Sequence, residues 1–225
     1  MRLFARLPSL ALFLLALLAT GCAGPSAQRA SLAGLRAGLE PDCVAAGAAV
    51  HIGQRRFLTV AHLVDGTQPL LHHCSPGAAP PRIQLAGHDL PAELMRAGQA
   101  DLAAGFGTYY IGGRDVALLR TGPLPPGHPA LVLCPDSPQP GEPVWVVTPR
   151  REVIGRITAL VREANPLHGG YAELSLPLEP GESGGAVIDA RHDCLLGLVS
   201  HRETVAGQVH TRIVPAPVLR AFLGE

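Results

Sequence analysis

The sequence predicts an all-β protein with two six-stranded antiparallel β-barrels and a C-terminal helix. From residue 43 onward, short apolar runs rich in Val, Ile and Leu alternate with turn-forming residues, and the whole chain contains 22 prolines and 26 glycines. Such spacing is typical of β-sandwiches and barrels. A proline-dense linker at 121–142 separates two regions, 41–120 and 143–225, each with about six candidate strands; the alternative is a surface loop within one domain. The ending PAPVLRAFLG has proline in its first turn and glycine at its end, which predicts a helix.

Residues 1–21 are typical of an export signal. Arg2 and Arg6 form a short basic region, and an uncharged apolar run, Leu10–Ala19, follows them. That run is too short to span a bilayer comfortably as a helix, but it suits a secretory signal. The segment LATGC, which ends at Cys22, resembles the lipobox of bacterial lipoproteins and implies lipidation of that cysteine. The alternative is a plain signal peptide with Cys22 incidental.

Residues 22–40 are expected to form a tether and a short helix near 29–40. Three leucines recur there at helical spacing: Leu32, Leu35 and Leu39. A lipid on the N-terminal cysteine would anchor a soluble domain to a membrane without spanning it. We therefore expect the protein in the bacterial cell envelope, lipid-anchored and facing the periplasm. The formal net charge of zero gives no electrostatic case for a nucleic-acid partner.

Four cysteines remain once the lipobox cysteine is set aside: Cys43, Cys74, Cys134 and Cys194. An even number in an exported chain favours two disulfides, and three pairings are possible. We favour Cys43–Cys74 and Cys134–Cys194, because each would close within one half of the chain. A metal site at the histidines beside Cys74 is disfavoured, because no CxxC or HxxxH pair supports it. The sequence thus predicts no metal and no cofactor.

Ser183 lies in PGESGGAVID, between an acidic residue and two glycines. Glycine tolerates backbone angles that other residues avoid, so the motif predicts a tight turn. The turn could be an ordinary loop, or it could aim backbone N–H groups at one point beside the hydroxyl, as an oxyanion hole requires. A nucleophilic serine also needs a base and usually a carboxylate that orients the base. Because all 18 basic residues are arginine, a lysine base is excluded.

His62 and Asp115 are the candidate partners of this serine. His62 ends the apolar segment FLTVAH, where an imidazole could be held rigidly at the edge of a cleft. Asp115 directly precedes the apolar run VALL, and a carboxylate buried there would need a partner. The alternatives are a core histidine satisfied by the backbone and an aspartate in a surface turn.

In the order His, Asp, Ser, these segments resemble the chymotrypsin-like serine peptidases. TVAH is similar to the family's TAAH, DVALL to DIALL and GESGG to GDSGG. GLVS is placed like the strand that lines the substrate cleft, and IVPAPVLRAFL resembles the end of bacterial trypsin-like and HtrA-type peptidase domains. The resemblance covers residues 43–223 and implies a peptidase domain at 41–225. No PDZ-like segment follows before Glu225, so a full HtrA-type assembly is not expected on this chain.

The resemblance implies a role for each residue of the motifs. Ser183 would attack the scissile carbonyl, and His62 would act first as general base and then as general acid. Asp115 would hold the imidazole, and the backbone N–H groups of Gly181 and Ser183 would form the oxyanion hole. Glu182 replaces the family's aspartate, so we expect no activation by a newly released N-terminus.

The leading interpretation is an exported, lipid-anchored serine endopeptidase that acts on peptides or proteins. A second interpretation is a catalytically silent relative that binds peptides or regulates a partner. An esterase of the α/β-hydrolase type is remote, because its residues would come in the order Ser, Asp, His.

Four residues are expected to contact substrate: Pro177, Ser200, His201 and Arg202. By resemblance, Pro177 lies near the base of the specificity pocket, where trypsin-like enzymes have aspartate, so cleavage after Arg or Lys is disfavoured. His201 and Arg202 follow the cleft strand and could offer positive charge to an acidic side chain. Small apolar and acidic residues therefore both remain open at the cleavage site.

Overall fold

The computed structural model describes residues 29–39, 43–66, 80–102, 109–161 and 168–225. These residues form twelve strands in two closed six-stranded antiparallel barrels, followed by a C-terminal helix. The sequence-based prediction of the fold is therefore confirmed. The export signal and Cys22 lie outside the described residues. Within the described ranges, no helix is long and apolar enough to cross a membrane.

The first barrel contains strands β1 to β6 in the order β1-β2-β3-β6-β5-β4, and pairing of β1 with β4 closes it. Its strands are β1 Leu32–Leu39, β2 Cys43–His51, β3 Arg56–Thr59, β4 Arg82–Leu85, β5 His88–Ala97 and β6 Ala117–Thr121. Side chains alternate between the interior and solvent where one face is buried. In β4, for example, Ile83 and Leu85 are buried, whereas Arg82 and Gln84 are exposed.

The second barrel contains strands β7 to β12 in the order β10-β11-β12-β9-β8-β7, and pairing of β10 with β7 closes it. Its strands are β7 Pro143–Val147, β8 Glu152–Leu160, β9 Ala172–Leu174, β10 Ala186–Asp189, β11 Leu195–Val205 and β12 Gln208–Pro215. Strand β11 contains a β-bulge. Its partners in β12 shift between Val199 and Arg202, so Ser200 and His201 together lie opposite Arg212.

The helix predicted near 29–40 is wrong, because Leu32–Leu39 forms β1. This strand pairs with β2 along its whole length and with β4 on its other edge. The buried side chains are Ala33, Leu35 and Ala37, which recur every second residue. That period is the period of a strand and not of a helix. The first barrel therefore begins before residue 41.

The C-terminal helix, α1, spans Ala216–Leu223 and ends at Gly224, which has a left-handed φ of 86°. It follows the last strand of the second barrel but also contacts the first barrel. The guanidinium carbon of Arg96 in β5 lies 4.2 Å from the centre of the Phe222 ring. Leu219 belongs to a hydrophobic cluster that includes residues of both barrels. This shared core holds the two barrels against each other.

The segment between the barrels is attached to both of them. The Leu131 N–H donates to the His51 carbonyl of the first barrel at 2.9 Å, and the Cys134 N–H donates to the Leu195 carbonyl of the second at 3.0 Å. Cys134 and Cys194 form a disulfide, which is one of the two pairings that we favoured. Cys43 is also disulfide-bonded, and its predicted partner, Cys74, lies outside the described residues.

Candidate active site

The ends of two paired strands bring His62 and Asp115 together. Strands β3 and β6 pair through Thr59 and Ala117, and β3 leads into a 3₁₀ turn, Ala61–Leu63. His62 is 5% exposed and Asp115 1%. His62 Nδ1 lies 2.8 Å from Asp115 Oδ2, and the His62 backbone N–H donates to Oδ1 at 3.0 Å. These contacts fix both the position and the orientation of the imidazole.

The charges of this buried pair depend on each other. Burial alone would lower the pKa of His62, but the charge and hydrogen bond of Asp115, with the charge of Asp65, raise it above its ordinary value. Burial would raise the pKa of Asp115, but His62 and a hydrogen bond from Ser200 hold it below its ordinary value. Asp115 is therefore an ionised acceptor at neutral pH, and Nδ1 of His62 carries the proton that it accepts.

Ser183 follows a tight turn between β9 and β10. The Glu182 N–H donates to the Glu179 carbonyl at 3.1 Å, and Gly181 has a φ of 88°. Proline at the second position and positive φ at the third identify a type II turn, which favours glycine at that third position. Among the described residues, the N–H groups of Gly181 and Ser183 donate no hydrogen bond to protein. These two donors are thus available for an oxyanion.

The first barrel fixes the backbone of Ser183. The Ala48 N–H donates to the Ser183 carbonyl at 2.8 Å. A Cβ at Gly47 would lie 2.5 Å from the same carbonyl oxygen and 2.5 Å from the Leu63 side chain, so the close approach requires glycine. The barrel that positions His62 therefore also positions the backbone of the serine.

Ser183 and His62 line one cleft of about 540 Å³ between the barrels. The Ser183 hydroxyl donates to the Ser200 carbonyl at 2.9 Å. Among the described contacts there is no hydrogen bond between Ser183 and His62. Catalytic hydrogen bonds are often absent or long in a free enzyme and form when substrate is bound. The cleft thus contains His62 and Ser183, and Asp115 is connected to it through its hydrogen bond with His62.

Glu182 is a buried residue whose carboxylate holds the turn that precedes Ser183. It is 1% exposed. Its carboxylate accepts two hydrogen bonds from Arg151 at 3.0 Å, one from Thr148 at 2.8 Å and one from the Glu179 N–H at 2.7 Å. Burial would raise the pKa of Glu182, but these donors hold it below its ordinary value. An arginine of the same chain therefore neutralises this carboxylate, and no new N-terminus is required for that purpose.

The bulge in β11 places Ser200 and His201 beside the acid. The Ser200 hydroxyl lies 2.5 Å from Asp115 Oδ2, and His201 Nδ1 lies 2.8 Å from the Ser200 hydroxyl. Burial lowers the pKa of His201 to about 4. With its pKa lowered in this way, His201 is neutral at physiological pH and offers no positive charge to an acidic substrate. Both residues were expected at the cleft, but no local sequence pattern indicates their connection to Asp115.

Two further residues were expected at the substrate pocket. Pro177 is exposed and does not line the cleft; Leu178 occupies that position instead. The Pro177 carbonyl accepts a hydrogen bond from Arg151 at 2.7 Å, and this contact holds the backbone of Pro177 beside that arginine. Arg202 does line the cleft, and its guanidinium lies 3.3 Å from the Glu179 carboxylate.

One group of potential metal ligands occurs among the described residues: Cys134, Asp189 and Cys194. The two cysteines are joined in a disulfide, so their sulfurs are not thiolates. The described part of the chain therefore offers no arrangement that favours a metal.

The double barrel, with a cleft between its halves, is the chymotrypsin-like fold. A family model described as a trypsin-like peptidase domain matches residues 47–198, and the chain belongs to this family. Among curated protein sequences, none matches the chain significantly.

Solved structures of bacterial proteases are similar to this chain. The active form of the Rv3671c protease from M. tuberculosis is 21% identical with a TM-score of 0.65, and the match covers 88% of this chain and 82% of that one. The HtrA-type protease AlgW with a tripeptide is 20% identical with a TM-score of 0.63, covering 89% of this chain and 61% of that one. The serine endoprotease from Yersinia pestis is 15% identical with a TM-score of 0.60, covering 89% and 64%. At these identities the likeness shows the fold alone.

Proposed function

We propose that this protein is a serine endopeptidase that hydrolyses peptide bonds through Ser183, His62 and Asp115. The observation that carries the proposal is the buried, hydrogen-bonded pair of His62 and Asp115, which shares a cleft with a serine beside two available backbone N–H groups. Membership of the trypsin-like peptidase family supports the same chemistry.

The geometry suits acyl transfer. With a proton on Nδ1, His62 presents the lone pair of Nε2 as a base. Nε2 removes the proton of the Ser183 hydroxyl as Oγ attacks the carbonyl carbon, and the N–H groups of Gly181 and Ser183 stabilise the negative oxygen. His62 then protonates the leaving amine, which leaves an acyl-enzyme. Water, activated by the same imidazole, releases the acid and restores the serine.

The cleft supports a small apolar side chain on the acyl side of the cleaved bond. Leu178, Val199 and Thr211 line it and are themselves 2%, 3% and 1% exposed. Within the described residues, the buried lining of the cleft contains no acidic side chain. A basic side chain of a substrate would therefore lack a partner there. Glu179 compensates the charge of Arg202, and His201 is neutral, so among the described residues of the cleft an acidic side chain would depend on Arg150 alone.

We further propose that the protein acts in the bacterial cell envelope, anchored by a lipid on Cys22. The support is the basic, apolar and LATGC segments of the N-terminus. Its substrates would be peptides or proteins on the periplasmic side of the membrane.

Cleavage of a peptide library by the purified protein tests this proposal. We expect cleavage after small apolar residues, and no cleavage by the Ser183→Ala variant, which removes only the hydroxyl oxygen. Folded wild-type protein that binds peptides but cleaves none would contradict the proposal and favour a catalytically silent binding module.

A further inference from the structure

We propose that His201 is a positioning residue that holds the Ser200 hydroxyl on Asp115 and thereby sets the pH at which His62 becomes a base. The inference rests on the proposed function. His201 would act through Ser200, without contact to the reacting atoms.

The direction of each proton follows from the partners. The ionised carboxylate of Asp115 is an acceptor only, so the single proton of the Ser200 hydroxyl must point to Oδ2. The Ser200 oxygen, 2.8 Å from His201 Nδ1, must then be the acceptor of that contact. His201 is therefore the Nδ1–H tautomer. The result is a chain of donors that runs from His201 through Ser200 to Asp115 Oδ2, the same oxygen that accepts the hydrogen bond of the His62 ring.

The β-bulge makes this chain possible. Consecutive side chains of a regular strand point to opposite faces, so Ser200 and His201 could not meet there. At the bulge both residues lie opposite Arg212, and their polar atoms come within hydrogen-bonding distance. Bulges commonly re-aim side chains beside functional sites. The bulge thus allows His201 to donate a hydrogen bond to the Ser200 hydroxyl.

The surroundings of His201 keep its ring neutral and oriented. The ring packs edge-on against Tyr171, with centroids 5.2 Å apart and an interplanar angle of 88°. Charged or titratable groups face it from several elements: Asp115 before β6, His62 after β3, Glu203 in β11 and Arg212 in β12. Burial outweighs the attraction of the two carboxylates. His201 is thus a fixed neutral donor throughout the range in which His62 titrates.

The His201 N–H donates to the Ser200 oxygen and thereby strengthens the hydrogen bond from Ser200 to Asp115, because linked hydrogen bonds polarise one another. A better-stabilised carboxylate attracts the protonated imidazole less strongly. Without the N–H of His201, the pKa of His62 should therefore rise, and more of the base would be protonated at neutral pH.

Two substitutions separate the hydrogen bond from the packing. His201→Phe keeps a ring against Tyr171 but removes the donor, whereas His201→Asn places an amide N–H near the position of Nδ1. His88→Phe is the matched control, since His88 is an exposed residue at the start of β5. NMR titration of the His62 ring reports its pKa whether or not the protein is active.

We expect His201→Phe to raise the titration midpoint of His62 by about 0.5 pH unit, and His201→Asn to restore most of the difference. If fluorophosphonate labels Ser183, the labelling rate at neutral pH should fall about threefold while the plateau at high pH stays unchanged. A purely structural role would lower the plateau instead. An unchanged midpoint in His201→Phe, or failure of His201→Asn to restore it, would overturn the proposal.

A double-mutant cycle tests whether the effect passes through Ser200. Ser200→Ala should raise the midpoint of His62 by itself, and adding His201→Phe should change it no further. Additive shifts would refute action through Ser200. A wild-type protein that does not react with the probe contradicts the endopeptidase proposal, and the titration still decides the role of His201.

Discussion

One buried carboxylate connects the polar groups of the candidate site. Asp115 accepts hydrogen bonds from the His62 backbone, the His62 ring and Ser200, and it is almost completely buried. Such an acceptor selects the imidazole tautomer that leaves Nε2 as the base. A neutral amide of the same shape would lack the charge and could donate a hydrogen bond where Asp115 only accepts.

We therefore expect Asp115→Asn to lower kcat/KM for a cleaved peptide by about 10³- to 10⁴-fold, because the wrong His62 tautomer is favoured. Asp89→Asn is the matched control, because Asp89 is half-exposed and pairs with Arg82 on the surface. Steady-state kinetics measures the effect, and circular dichroism verifies folding. A loss of less than tenfold in a folded variant would show that Asp115 does not orient the base.

At the scale of residues, sequence motifs locate the chemistry but not its supporting contacts. His62, Asp115 and Ser183 lie in short motifs, so the sequence could nominate them. The connection of His201 to Asp115 depends on a bulge, and no local pattern specifies where a strand bulges. Pro177 was expected at the pocket by resemblance alone, which does not account for the hydrogen bond that Arg151 makes to its carbonyl.

The turn before Ser183 is the element on which oxyanion stabilisation would depend. Its buried Glu182 is held by Arg151 from the turn between β7 and β8. Because folding lowers the pKa of Glu182, its contribution to stability is complete above the ordinary glutamate pKa. That contribution disappears as the pH falls through the lowered pKa.

Arg151→Gln should remove the charge partner and destabilise the fold by about 1–3 kcal/mol, a modest cost since Thr148 and the Glu179 N–H still bind the carboxylate. We also expect slower cleavage with kcat reduced more than KM is raised, because the N–H groups of the turn act on the transition state. Arg120→Gln is the matched control, since Arg120 forms an exposed ion pair with Glu93 on the first barrel and does not line the cleft. Urea unfolding and steady-state kinetics distinguish the two variants, and equal effects would contradict the role of Arg151.

At the scale of elements, most predictions succeeded where one face of a segment is apolar. Strand β1 is the exception. Its glycines and alanines give a weak hydrophobic pattern, so three leucines at helical spacing dominated the prediction. Closure of the first barrel requires a strand between β2 and β4, and this tertiary requirement overrides the local pattern.

The whole molecule divides the site between two barrels that share a core. The first barrel carries His62 and Asp115, and the second carries Ser183 and its turn. The spacing of apolar runs and the proline-dense linker were sufficient to predict this arrangement, because short strands separated by turns have few ways to bury their apolar faces. The conformation of the loops could not be predicted in the same way, since their contacts come from distant parts of the chain.

The pH dependence of both stability and activity is a property of the whole molecule. Folding raises the pKa of His62, so this group contributes stability that is complete below the ordinary histidine pKa and is lost as the pH rises through the folded pKa. Catalysis requires the neutral imidazole. Activity should therefore increase over the same pH range in which this contribution to stability disappears.

Fluorophosphonate labelling, mapped by mass spectrometry and followed against pH, tests the central claim most directly. We predict one adduct, on Ser183, with a rate that rises with pH around a midpoint above 6.5, the ordinary histidine value. The adduct should be absent in Ser183→Ala and strongly reduced in His62→Ala. Folded wild-type protein that forms no adduct, or forms it equally well without His62, would contradict the account.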